Sequence, residues 1–109
     1  MNYPKQVQVV AMRYAVREPT TVSDAERLED NWGLTDHKTQ EVLLKPGQAP
    51  DTLADTVLHE VLHCCWFNSG AASKFSKDDE EFAVRSLSPL LLDTLRRNPR
   101  LVAFLVGEK

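Results

Sequence analysis

The stretch from Pro50 to Gly70 constrains the fold more than any other part of the chain. Pro50-Asp51 suits the first turn of a helix, where proline's missing N–H goes unused and an acid meets the positive end of the dipole. Asn68-Ser69-Gly70 supplies the stop, so the pattern predicts a helix from Pro50 to about Phe67. One side of that helix is apolar, with Leu53, Ala54, Val57, Leu58, Val61, Leu62 and Cys65. The other side carries Thr52, Asp55, Thr56, His59, Glu60 and His63, with no Lys or Arg among them. A helix buried along one side, with a polar stripe free of cations along the other, suits an element that lines a cleft.

That polar stripe contains the chemistry. His59-Glu60-Val61-Leu62-His63 reads HExxH, and residues four apart on a helix stand one turn above each other on one face. Two imidazoles so placed can grip one zinc ion, and the glutamate between them can serve as general base toward water. Only three histidines occur in the chain, and two fall at this spacing. The alternative is a pair of histidines in register by chance. Against it stand the capped helix, the polar stripe and the acidic cluster downstream.

Hydrolytic zinc takes three protein ligands and keeps one position open, so a third donor is needed. Asp78-Asp79-Glu80-Glu81 opens a second helix, which Ser76 and Asp79 mark with a capping signature. The apolar spacing of Ala83, Val84, Leu87, Leu91 and Leu95 predicts that this helix faces its core along that stripe and runs from about Lys77 to Arg97. Glu80 lies three, four and seven positions before Ala83, Val84 and Leu87, whereas Glu81 is turned roughly 100° away. Glu80 is therefore expected as the third ligand. Acids in a first turn also simply complement the helix dipole, which is the plainer account of the cluster.

Before the helices come strands. Alternating apolar positions from Val7 to Val16 predict a strand. Thr20 to Asp30 is polar, with Ser23 and Glu26 spaced as a capping box for a short helix. Trp32-Gly33-Leu34, a turn at Asp36-His37-Lys38, and Thr39 to Leu44 predict a hairpin or a pair of short strands ended by Pro46-Gly47. Asn98-Pro99 ends the second long helix, and Leu101 to Val106 forms a closing one. Strands followed by helices make an α+β plan in a single domain over residues 1–109.

The bulk properties exclude other classes. Net charge is -3 at pH 7, with no basic face of the kind nucleic acids require. No apolar run is long enough for a membrane span. The start of the chain, Met1 to Gln6, has no apolar signal core. Cys64 and Cys65 are neighbours with no CxxC spacing; they read as small core residues in a reducing, cytoplasmic protein. Trp66 and Phe67 read as packing residues at the helix end, with Phe67 at the border of the cleft. Tyr3, Tyr14 and His37 are each able to stabilise an oxyanion, and the sequence selects none of them.

HEVLH in a helix followed by Glu80-Glu81-Phe82-Ala83 resembles the gluzincin zinc metallopeptidases, in particular minimal members of the ImmA/IrrE and SprT-like kinds and small HExxH proteins of phages and prophages. The resemblance spans about Gly33 to Pro99. It implies a zincin-like domain: a small twisted sheet, an active-site helix and a glutamate-bearing helix. It further implies peptide-bond hydrolysis, with His59, His63 and Glu80 on zinc, Glu60 as catalytic base, and a protein or peptide substrate beside an edge strand near Val42 to Leu44. In several such families the ligand glutamate precedes an alanine by three positions, as Glu80 precedes Ala83. Two features depart from the pattern. Val84 stands where many gluzincins carry a group that orients a histidine, and no downstream Tyr or His serves as transition-state donor. These departures keep a second expectation open, a non-catalytic protein-binding module on the same scaffold, and a third, hydrolysis of a non-peptide amide.

Overall fold

A computed structural model describes residues 2–108; Met1 and Lys109, the ends of the expected 1–109 domain, lie outside the described residues. The segment expected as one strand is a hairpin of β1 (Gln6–Val9) and β2 (Met12–Arg17), closed where Val9 pairs with Met12. Val10 makes the turn with φ 55°, a left-handed conformation that two-residue hairpins usually assign to glycine or asparagine. Without that turn signature, the alternation reads straight through.

The short helix α1 (Val22–Leu28) begins earlier than expected. Its cap is Thr21, whose hydroxyl accepts the Asp24 N–H at 3.0 Å, and not Ser23. The expected second hairpin is present as β3 (Gly33–Asp36) and β4 (Glu41–Leu44), with Gly33 opposite Leu44. The sheet order is β1-β2-β4-β3, and only the β2–β4 pair is parallel, which requires the crossover that α1 provides. β4 is thus an inner strand with Val42, Leu43 and Leu44 all buried. The exposed edge beside the long helix is β3, a correction to the edge expected near Val42 to Leu44.

Helix α2 (Pro50–Ser69) ends on Gly70 at φ 85°, as its stop signal requires. It lies across the sheet, where Tyr14, Val16, Val42 and Leu44 meet Leu53 and Cys64. Leu43 alternates to the other face, which α1 covers with the buried Leu28. The face of α2 against the sheet also takes in Thr56 and Glu60, both buried. Of the two cysteines only Cys64 is core; Cys65, expected on the apolar side, is exposed.

A 3₁₀ turn at Ala71–Ser73 returns the chain to α3 (Lys77–Arg97), where the expected capping box of Ser76 and Asp79 forms in both directions. The inward stripe differs from expectation. Val84 and Ser88 are its buried members, while Leu87 and Leu91 are exposed. Ser88 Oγ donates to Asp55 Oδ1 at 2.6 Å, a bond that ties α3 to α2. α4 (Pro99–Leu105) follows after Asn98. Among the described residues no helix is long and apolar enough to cross a membrane.

Candidate metal centre

His59 and His63 sit one turn apart on α2, and their Nε2 atoms lie 3.1 Å from each other. Glu81 reaches both from the first turns of α3: its carboxylate oxygens are 3.1 Å from His63 Nε2 and 3.3 Å from His59 Nε2. Around zinc, donors at about 2.0–2.1 Å in a tetrahedron stand roughly 3.3 Å apart. The two imidazole nitrogens have that separation, and the Glu81 carboxylate, with Oε1 toward His59 and Oε2 toward His63, stands within reach of the third corner. His59, His63 and Glu81 can therefore hold a metal ion.

Glu80, the expected third ligand, is placed differently. Its Oε2 lies 2.6 Å from Nδ1 of His63, behind the ring as seen from His59. A carboxylate there fixes the tautomer, keeping the proton on Nδ1 and leaving the Nε2 lone pair for a metal. Helical position does not by itself choose between the two acids; the reach of each carboxylate toward the imidazoles does. Glu80 lies four and eight positions before Val84 and Ser88, and Glu81 three and seven, so the two acids flank the buried stripe from either side, with Glu80 the more buried.

Glu60 is buried between α2 and the edge strand. Thr35 Oγ1 donates to its Oε1 at 2.8 Å. Burial pushes the carboxyl pKa up; the Thr35 bond and the two neighbouring imidazoles act against that rise. Glycine at residue 33 leaves room for this carboxylate and for Thr56. A Cβ on Gly33 would come within 2.8 Å of Thr56 Cγ2 and 3.0 Å of Glu60 Oε2. Neither Gly33 nor Thr35 is singled out by spacing, since each meets Glu60 only through the tertiary fold.

These groups open on a cleft of about 860 Å³ whose walls include Trp32, Leu34, His37, Phe67 and Phe75. Of the three residues left unselected as oxyanion donors, Tyr14 is fully buried in the core, and Tyr3 packs against that core with Lys5 Nζ 3.8 Å from its ring centre. His37 alone of the three lines the cleft, half-buried and stacked on Phe67 with ring centres 4.0 Å apart. Phe67 borders the cleft as expected. Against protein-family models, curated proteins and solved structures the chain shows no match.

Proposed function

We propose that this chain is a zinc-dependent hydrolase of the metallopeptidase type, acting on peptide bonds. The observation that carries the reading is the convergence of His59 Nε2, His63 Nε2 and the Glu81 carboxylate beside a buried, hydrogen-bonded Glu60. In this reading His59, His63 and Glu81 hold the ion, and Glu80 keeps His63 in the binding tautomer. Bound zinc supplies Lewis acidity toward a carbonyl and makes water a competent nucleophile at neutral pH.

The remaining work falls to the protein. Thr35 engages Oε1 of Glu60, which leaves Oε2 as the basic atom. Glu60 accepts the proton of the attacking water at Oε2 and returns it to the departing amine, so the group is unchanged after a cycle. The outer edge of β3, Gly33–Asp36, offers unpaired backbone groups along the cleft, suited to an extended peptide added as a further strand.

A second reading, a binding module without catalysis, is favoured by the exposed apolar residues of α3 and α4, including Phe82, Leu90, Phe104 and Leu105. One experiment separates the two. The purified protein should carry about one zinc per chain and cleave members of a peptide library, with cleavage lost to a chelator and restored by zinc. Zinc-free protein with no turnover at any metal concentration sinks the hydrolase reading.

A further inference from the structure

His37 is held in the cleft wall by contacts that decide which ring nitrogen bears the proton. Asn68 Nδ2 donates to Cys64 O at 2.7 Å and to Tyr14 Oη at 3.1 Å. Tyr14 Oη, having accepted that bond, lies 3.0 Å from Nδ1 of His37. The nearby Cys64 thiol is pushed up to about 12 by burial and stays protonated, a far weaker acceptor than an imidazole nitrogen. The tyrosine hydroxyl therefore donates to Nδ1, and the neutral ring carries its hydrogen on Nε2. Phe67 lies flat against the ring, with 9° between the planes, and fixes where that N–H aims. Among the described residues Nε2 has no hydrogen-bond partner, and His37 lines the same cleft as His59, Glu60 and His63.

We propose that His37 Nε2–H is the hydrogen-bond donor that meets the carbonyl oxygen of the scissile amide as negative charge develops on it. The inference rests on the hydrolase reading above. No proton changes hands: the hydrogen remains on Nε2 while the bond shortens and strengthens with the growing charge. Burial lowers the pKa of His37, its largest influence, and so keeps the ring neutral. A ring whose Nδ1 is already engaged cannot compete with Glu60 for the proton of the attacking water. The donor comes from the β3–β4 turn, upstream of the HExxH helix, and so supplies a group that the chain lacks downstream.

The test uses the full chain loaded with zinc. His37→Phe keeps an aromatic ring against Phe67 and removes the N–H. Its kcat/KM should fall on the order of 100-fold at temperatures where the chain is folded, with zinc content as in the parent and a thermal midpoint lowered because the buried Tyr14 hydroxyl loses its acceptor. A phosphinic peptide, whose tetrahedral oxygens imitate the transition state, should lose affinity by a comparable factor. His37→Gln, which restores an N–H, should recover part of both. Nitrogen-15 NMR of the zinc-free protein should find the His37 proton on Nε2. Parental turnover in His37→Phe, or a proton on Nδ1, overturns the assignment while leaving the hydrolase reading intact. A parent without chelator-sensitive turnover removes both.

Discussion

Glu80 Oε2 and His63 Nδ1 are 2.6 Å apart, on the side of the imidazole opposite the nitrogen that faces His59 and Glu81. Adjacent glutamates thus address the two nitrogens of one ring. Glu80 orients the ring, and Glu81 belongs to the donor triangle. In zinc titrations, Glu80→Gln should weaken affinity on the order of 10- to 100-fold, the usual effect of removing a group behind a ligand. Glu81→Ala should weaken it further. The reverse ranking would make Glu80 the ligand.

Glu60→Gln should retain zinc and lose hydrolysis, because an amide can neither take up nor return the proton. Thr35→Val is the subtler probe. It removes the donor to Oε1 that favours the charged carboxylate, against a burial that already pushes the pKa up. The acid limb of the kcat/KM profile should therefore move to higher pH, with the loss of activity largest on the acid side of the profile. An unmoved acid limb would mean that Thr35 does not bear on the base.

The helices were legible where residue chemistry marks their ends. Pro50, Gly70, the Ser76–Asp79 box and Asn98-Pro99 gave bounds that the fold repeats. HExxH was legible because its spacing coincides with the helical turn. The rotation of α3 was not. Leu87 and Leu91 make as good an apolar stripe as Val84 with a serine, yet Val84 and Ser88 are the buried pair, with Ser88 bonded across to Asp55 of α2. Glu80 and Glu81 both flank the buried stripe, so which one reaches the Nε2 atoms depends on side-chain reach that periodicity does not encode. The Val10 turn was hidden for a related reason: a β-branched residue stands where φ is 55°, against its own preference. Thr35, Gly33 and the Tyr14–His37–Asn68 chain depend on contacts between distant segments, which local periodicity does not encode.

Gly33 should resist even alanine. Its Cβ would press on Thr56 Cγ2 at 2.8 Å and on Glu60 at 3.0 Å, forcing β3 away from α2 or Glu60 out of place. Gly33→Ala should cost about 1–3 kcal/mol of stability, as overpacking does, and reduce turnover at temperatures where the chain is still folded. Adding Thr56→Ser removes the offending methyl and should recover part of the stability but little turnover, since the clash with Glu60 remains. Chemical denaturation of the two variants measures the first effect. Full activity in Gly33→Ala would show that the Glu60 position tolerates the shift.

Acid should unfold the chain through a network remote from the cleft. Arg17 bridges Asp24 at 2.7 Å and Glu41 at 2.8 Å, while Arg27 bridges Asp24, Asp36 and Glu41 at 2.8 to 3.1 Å, tying α1 to β2, β3 and β4. The Arg17 guanidinium holds Asp24 and Glu41 below the ordinary carboxylate range, and the Thr39 N–H does the same for Asp36. Groups with lowered folded pKa values stabilise fully above their unfolded values, about 3.9 to 4.3, and lose that contribution as pH falls toward the folded ones. The contribution of this network should thus hold level from neutrality to about pH 5, and the urea midpoint should drop steeply below about pH 4. Asp24→Asn should lower the plateau and flatten the drop, because fewer lowered carboxylates remain to be protonated. It should leave turnover near parental at temperatures where the chain is folded, since Asp24 lies outside the cleft walls. Parallel midpoint curves for parent and variant would show that acid acts elsewhere.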